Sequence, residues 1–598
     1  MALLPLIVAY LLVYGRSDVR GNYVSRSTPQ VRKKLSMQEQ IEPIGAAPAE
    51  HSQRTGAGAE DTPAVNTVAV PGKRRLLVKS AAFVMLGNLA SSLMGLVRQS
   101  VVASLGAGVA GPFLLALTPL QTFLDLLANG TVSGALIPTF TDYSQDERRR
   151  ELRRVVYSIV NLLVLVTFTI AVVFLFAAPW LVGRLLAGGT FTASQKALTV
   201  QLTQVVMFAL LIMGPFAVLQ AALYSRKKFG GAAFAAGFLH VGVIAGAIAT
   251  SLWGATRFGR LGLAFGVILG ALAQVALLLP ALRRQNLPYM LVLDLKHPAV
   301  RRIFRLYAPL APSYIVSMLF VFVDLGLQNR APGNSTTNVT ALRLATTLVQ
   351  FPVGLVAAAL SFAVLPLLST YATDNDDAQF KETLMMGVRL GLLLMIPAAA
   401  GLIVLRSPIT ALLFAHRHYT AGDAALTAVV LQNYAYQLPF IVVDQLVMFA
   451  FYARKNTIVP VTVGFVCYGF YALVAFPLYG TVGAPALAFA NTAQNSMHGL
   501  ILLALFYRFF GSLDLRATLP AILKIAFATA AMVAVAWALQ TVMGGYALFS
   551  LHTLRGQILT MVITSAAAVI VYFGGISLLK VEEMTLLKQA VLARMGRR

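Results

Sequence analysis

The chain has 598 residues, 58% of them hydrophobic and only 12% charged, with a mean hydropathy of +0.76. A soluble domain is close to half apolar and a quarter charged, so this composition excludes a water-soluble enzyme and describes a polytopic membrane protein. The formal charge of +25 implies nucleic acid only where a soluble basic face is available, and membrane topology accounts for it below.

Residues 1–77 differ from the rest. Ala2 to Tyr14 is apolar but short of the roughly 20 residues that cross a 30 Å hydrocarbon core, and no basic stretch precedes it as in a signal peptide. Gly15 to Lys73 is rich in Ser, Gln, Ala, Pro and charge. It cannot bury enough apolar surface to order itself, and residues 1–77 read as a disordered cytoplasmic tail, with Met37 as an alternative start.

From residue 78 onward apolar segments follow one another with short polar breaks, and fourteen membrane helices are expected. Their spans are 78–107, 111–140, 155–183, 197–224, 231–253, 260–282, 304–328, 339–371, 384–406, 423–453, 457–478, 481–509, 520–543 and 556–580. With the N-terminus inside, the cytoplasmic connections carry clusters such as Arg148, Arg149, Arg150, Arg153 and Arg154, and later Arg283, Arg284, Lys296, Arg301, Arg302 and Arg305. The opposite side holds few basic residues, among them Arg184, Arg257, Arg330 and Arg417. This is the positive-inside asymmetry, and it explains the net charge without nucleic acid.

The chain repeats itself. Phe191-Thr-Ala-Ser-Gln-Lys-Ala-Leu-Thr199 matches Tyr419-Thr-Ala-Gly-Asp-Ala-Ala-Leu-Thr427, and Tyr224-Ser-Arg-Lys227 matches Tyr452-Ala-Arg-Lys455, both at an offset of 228. Ala135-Leu-Ile-Pro138 against Ala363-Val-Leu-Pro366 gives 228 again. Helices 1–6 and 7–12 are therefore two copies of one unit. Each has an even number of crossings, so both enter from the same side, as in transporters with parallel halves. The expected organisation is a six-helix lobe at 78–303, a second at 304–519, and helices 13 and 14 with a cytoplasmic tail at 520–598.

The single cysteine, Cys467, and seven scattered histidines offer no metal motif. Ionisable residues inside spans cost roughly 2.5–3.5 kcal/mol each on insertion scales and are functional candidates by default. They are Arg98, Asp125, Asp324, Arg343 and Asp444. A guanidinium facing water inside a bundle suits phosphate, because its planar fork makes paired charge-assisted hydrogen bonds. Pro138 and Pro366, at matching positions of the two copies, predict breaks that serve bending or close packing.

Gly95-Leu-Val-Arg98, Gly106-Ala-Gly108, Asn129-Gly130 and Pro138 with Tyr143 resemble the helix 1 and 2 signature of MurJ/MviN-type lipid II flippases. Ala178-Pro-Trp-Leu-Val182, Val200-Gln-Leu-Thr203, Phe351-Pro-Val-Gly354, Leu365-Pro-Leu-Leu368 and Phe451-Tyr-Ala453 continue the resemblance over about residues 78–510. The family belongs to the multidrug/oligosaccharidyl-lipid/polysaccharide exporter superfamily. The resemblance implies movement of undecaprenyl-pyrophosphate-linked disaccharide-pentapeptide between leaflets, an arginine-lined cavity for the pyrophosphate, and a tail groove at the last two helices. It also implies a sodium site at Asp324. The chain departs from the family at several of these places: Ser104, Leu124, Asp125 and Thr347 stand where arginines are usual, Gly111-Pro112 replaces an acidic residue, and Tyr471 and Ala475 fall where sodium partners belong.

The expectation is an inner-membrane, multi-pass flippase with both termini cytoplasmic, acting as a monomer without a cofactor, coupled to sodium or to the membrane potential. Arg98, Arg343, Asp125, Asp324 and Asp444 are its expected substrate-binding residues, and its expected partners are the lipid-linked oligosaccharide, the bilayer and the cell-wall synthesis machinery. The alternatives are an exporter of another polyprenyl-linked glycan or amphipathic molecule, or a transport-inactive homologue. A membrane glycosyltransferase would present paired carboxylates or a histidine at a membrane surface. Asp423, His416 and His418 are the nearest such group, and loop composition explains them better.

Overall fold

The structure is a computed structural model that describes residues 87–584 except 88, 127–135, 146, 147, 227, 229, 255, 309, 310, 514 and 552. The expectations for residues 1–77 and for the chain beyond 584 lie outside the described residues. Every regular element among the described residues is helical. The first repeat holds α1 (Leu89–Ala103), α2 (Ala107–Leu124), α3 (Ile137–Asp142), α4 (Arg149–Leu181), α5 (Ala193–Val206), α6 (Leu210–Ser225), α7 (Gly230–Ala235), α8 (Gly237–Trp253) and α9 (Gly262–Arg284). A connecting helix, α10 (Pro298–Tyr307), leads into the second repeat. There follow α11 (Ala311–Arg330), α12 (Ser335–Ala363), α13 (Leu365–Asp374), α14 (Asp377–Val404), α15 (Arg406–Phe414), α16 (Ala421–Ala435), α17 (Leu438–Ala453), α18 (Ile458–Val482) and α19 (Ala484–Phe510). The last two helices are α20 (Leu515–Gly544) and α21 (Leu554–Leu578).

The repeat read from short sequence matches governs where the helices begin. Ala107 and Ser335 start α2 and α12, Ile137 and Leu365 start α3 and α13, and Arg149 and Asp377 start α4 and α14, each pair 228 positions apart. The same offset relates Ala193 to Ala421, Leu210 to Leu438 and Gly230 to Ile458. The local cause is visible at α5 and α16. Thr192 caps α5 through the backbone N–H of Gln195, whose side chain accepts from the Thr192 N–H, and Thr420 with Asp423 builds the same reciprocal cap on α16. Pro138 and Pro366 each sit in the first turn of a short helix, α3 and α13. There a missing N–H costs nothing, because the first-turn donors have no intrahelical partner anyway.

Nine helices among the described residues are long and apolar enough to cross a bilayer, and the pair α16 and α17, bent by 42°, makes a tenth. Each of the fourteen segments expected from sequence contains a described helix, and four of these helices, α1, α8, α11 and α19, fall outside the ten. The first span is described only from residue 87. α8 has 17 residues, and α11 and α19 dilute their apolar character with polar residues, among them Asp324, Gln328 and Asn329 in the one and Asn491, Asn495 and His498 in the other. Such polar residues in a span face protein or a cavity rather than lipid.

Apolar side chains cover the outside: Phe176 is 76% exposed and Trp180 63%. A surface of this kind is stable against acyl chains and a liability in water. Small residues set the closest helix packing. A Cβ placed on Gly246 of α8 would lie 2.9 Å from the Gly266 Cα of α9, so only glycine lets these backbones approach so closely. α20 and α21 pack on each other and on α14. There the Tyr572 hydroxyl donates to the Leu393 carbonyl at 2.6 Å, and Arg389 pairs with the buried Glu583 at 2.5 Å.

Candidate functional site

α2 and α12 are the same helix in the two copies, and they pack against each other. Between them and α1 lies a cavity of about 210 Å³ lined by Arg98, Gln99, Leu114, Leu117, Gln121, Arg343, Thr346, Thr347 and Gln350. The helical repeat explains the set. Leu114, Leu117 and Gln121 share one face of α2, and Arg343, Thr346, Thr347 and Gln350 follow the i, i+3, i+4, i+7 pattern of one face of α12. α1 adds the adjacent pair Arg98 and Gln99. The two arginines expected to bind substrate thus meet in one place, although 245 positions separate them in sequence.

Their surroundings differ. Arg343 Nη2 donates to Thr118 Oγ1 at 2.8 Å, and that hydroxyl donates in turn to the Leu114 carbonyl at 3.2 Å. Gln99 Nε2 donates to Thr347 Oγ1 at 3.1 Å, and the Thr347 hydroxyl donates to the Arg343 carbonyl at 2.9 Å. Both cross-copy bonds therefore end on a threonine whose own proton is spent on its helix, so the hydroxyl acts as acceptor. Arg98 is different: among the described residues it takes no hydrogen-bond or ion-pair partner, and it lies partly buried beside His240 of α8. A guanidinium inside membrane-spanning helices has the chemistry to take up an anion through paired charge-assisted hydrogen bonds.

Asp324 stands near enough to Arg343 for their charges to interact. Its carboxylate accepts a hydrogen bond from the Tyr471 hydroxyl and another from Gln328 Nε2 at 2.6 Å. A hard cation needs an oxygen cage. Tyr471 and Gln328 both donate to this carboxylate and the side chain of Ala475 offers no oxygen, so beside Asp324 only the Gln328 amide oxygen, buried and without a partner among the described residues, is left over, and the residues present do not make a full cage for sodium. Asp125 is exposed at the end of α2, and Asp444 of α17 pairs with His498 Nδ1 of α19 at 2.6 Å. Neither lines the cavity of Arg98 and Arg343. The structure brings three of the five expected residues into one neighbourhood and leaves these two apart. Thr118, Gln99, Gln121 and Gln350 are the members that sequence reasoning missed; neutral polar residues in a span carry no cost large enough to single them out.

The two repeats are bonded to each other on the side of the connections poor in basic residues. Ser335 N–H donates to Thr190 Oγ1 at 2.8 Å and Thr190 N–H donates to Ser335 Oγ at 3.0 Å. At the corresponding position of the other copy, His418 N–H donates to the Ser104 carbonyl at 3.2 Å, and Ser100 Oγ donates to the Leu413 carbonyl. Thr190 and His418 are again 228 positions apart. Gly106, at φ +85°, permits the second contact: a Cβ there would come within 2.9 Å of the His418 Cβ. His418 thus belongs to this contact between the repeats, and Asp423 to the cap of α16.

Comparison with known proteins fits this geometry. A chain named "Probable lipid II flippase MurJ" from Bdellovibrio bacteriovorus is 26% identical over 523 residues, 86% of this chain and 97% of that one. One of the same name from Vibrio cholerae is 29% identical over 445 residues, covering 72% and 82%. The solved structure titled "Lipid II flippase MurJ, inward closed conformation" superposes with a TM-score of 0.66 at 18% identity, covering 83% of this chain and 98% of that one. A multidrug resistance MATE family transporter of the MOP superfamily, in an inward-facing conformation, follows at 0.59 and 15%, covering 71% and 95%. At these identities the structural likeness shows the fold alone. The family model described as lipid II flippase MurJ matches residues 101–555, and with more than half of the chain matched, this protein belongs to the MurJ family.

Proposed function

We propose that this protein moves lipid II, the undecaprenyl-pyrophosphate-linked peptidoglycan precursor, between the leaflets of the bacterial inner membrane by alternating access. The observation that carries the reading is Arg98, without a hydrogen-bond or ion-pair partner among the described residues, in a cavity shared with Arg343. Two fixed cations in a low-dielectric site suit a pyrophosphate, and the amides of Gln99, Gln121 and Gln350 suit the hydroxyl and acetamido groups of a glycan. The cavity of about 210 Å³ has room for about seven water molecules, enough for a diphosphate but not for a disaccharide-pentapeptide. The headgroup therefore enters as the cavity widens toward the basic connections, while the Thr190–Ser335 and Ser104–His418 contacts keep the other side shut.

In this reading the two repeats, taken as lobes at 78–303 and 304–519, rock about the cavity, and both termini lie in the cytoplasm. The lipid tail stays in the bilayer along α20 and α21, the chain works as a monomer, and it hands its substrate to the cell-wall synthesis machinery. Movement of net charge couples the cycle to the membrane potential, worth about 2.3 kcal/mol per charge per 100 mV. Proteoliposomes loaded with fluorescent lipid II test both parts. The reading predicts translocation that Arg98→Ala abolishes and that an imposed potential changes in rate. Absence of translocation by correctly reconstituted protein sinks the substrate, and indifference to potential sinks the coupling.

A further inference from the structure

The connection between the two repeats, residues 285–297, is held in a defined shape along α4. Tyr157 donates its hydroxyl to the Leu287 carbonyl at 2.8 Å, and the Ser158 hydroxyl accepts from the Asp294 N–H at 3.0 Å. Asn161 spends both of its amide protons on the strap, on the Met290 carbonyl at 3.1 Å and the Val292 carbonyl at 2.9 Å, and its Oδ1 accepts from the Tyr289 hydroxyl at 3.1 Å. These bonds fix the alternation of the extended chain. Met290 and Val292 pack inward against the core of the first repeat, so the odd-numbered residues face out. Leu291 is 84% exposed, Leu293 52% and Leu295 45%.

A row of three leucines turned outward on a clamped connection is not accidental slack. One turn beyond Asn161, Val164 and Leu165 of α4 are also exposed, so the row continues a lipid-facing surface. The chain then turns basic. Lys296, Arg301 and Arg305 are exposed and, among the described residues, take no ion-pair partner, whereas Arg302 is held by Asp142 at 2.5 Å. Below them Val300 and Ile303 are buried in the first repeat and anchor α10 there. An apolar row followed by free cations is the arrangement by which a peripheral segment seats at a bilayer surface.

We propose that residues 289–305 form a lipid-surface anchor, with the leucine row in the acyl boundary and Lys296, Arg301 and Arg305 against the headgroups of anionic lipid. The anchor ties the first repeat to the leaflet at the point where the chain passes to the second. It goes beyond the transport reading, because it holds whatever the cargo.

The test uses the full chain in vesicles of phosphatidylcholine with or without phosphatidylglycerol. A fluorophore on Leu291→Cys, in a Cys467→Ser background, is expected to be quenched by brominated lipid and shielded from iodide in the water. Phosphatidylglycerol co-purifying with the protein is expected to fall about fivefold or more in the Lys296→Gln/Arg301→Gln/Arg305→Gln variant, since each basic group near an anionic surface is worth about that factor. All three positions are exposed, and elution of the variant as a monodisperse peak checks its fold. Quenching by iodide instead of lipid overturns the anchor, and so does unchanged phosphatidylglycerol in the folded triple variant.

Discussion

Arg343 reaches from the second repeat to Thr118 of the first, its Nη2 2.8 Å from the hydroxyl oxygen, so one of the two cavity cations is already engaged across the copies. Arg98 has no such partner among the described residues. In the proposed reading the two arginines therefore have different work: Arg98 takes the anion directly, and Arg343 exchanges its threonine for the ligand or is shared between them.

Thr118→Val separates these roles. It removes the acceptor and leaves the shape, so it costs about 1.5–3 kcal/mol of the contact between repeats, as expected for a hydrogen bond to a charged group, while freeing Arg343. Binding of inorganic pyrophosphate, followed by calorimetry, is expected to hold or to tighten several-fold. Arg343→Ala is expected to weaken it at least tenfold, since a hydrogen bond to a charged group is worth about 1.5–3 kcal/mol. Equal weakening by both variants would show that Thr118, not the arginine, shapes the site.

The closure made by Thr190 and Ser335 is expected to open in each cycle. Their hydroxyl oxygens are 3.2 Å apart, a spacing from which paired cysteines can reach disulfide geometry with small adjustments. Oxidised Thr190→Cys/Ser335→Cys protein is expected to stop transporting and to resume on reduction. Full transport by completely cross-linked protein would mean that this side never opens.

Asp444 is expected to serve structure and not substrate. Its carboxylate is taken by His498, whose Nε2 faces the Pro460 carbonyl at 3.2 Å. Asp444→Asn keeps the shape and removes the charge, so thermal stability in detergent should fall while pyrophosphate affinity stays within about twofold. A selective loss of affinity without loss of stability would return Asp444 to the binding site.

The pair Arg389 and Glu583 ties α14 to the segment after α21, with side-chain exposures of 18% and 5%. Removing one partner of such a buried pair typically costs about 3–5 kcal/mol, because the other charge is stranded. Arg389→Ala should lower the melting temperature markedly, and adding Glu583→Gln should recover part of the loss. A double variant as unstable as the single one would show that the carboxylate is not stranded.

Much of this was legible in the residues, for reasons that differ by element. The 228-residue offset was visible in a handful of matches because turn and cap chemistry, as in Thr192 with Gln195 and Thr420 with Asp423, tolerates few substitutes; the structure extends the offset to helix starts such as Arg149 and Asp377 that share no side-chain type. Arg98 and Arg343 stood out because a guanidinium in an apolar span carries a large cost that chance does not maintain. The partners of the acids were hidden. His498 lies 54 positions from Asp444 and Tyr471 lies 147 from Asp324, and nothing local in a helix says which residue another helix will place opposite it. Asn161 stands alone as a polar residue in an apolar run, and the strap lying beside it gives both of its amide protons a use.

The measurement that bears most directly on the central claim is complementation in bacteria depleted of their own lipid II flippase. Growth is expected to be restored by this chain and lost with Arg98→Ala, the two proteins being present in the membrane at equal levels. Failure of the folded, membrane-inserted wild-type chain to restore growth, or restoration by Arg98→Ala as complete as by wild type, would contradict the account.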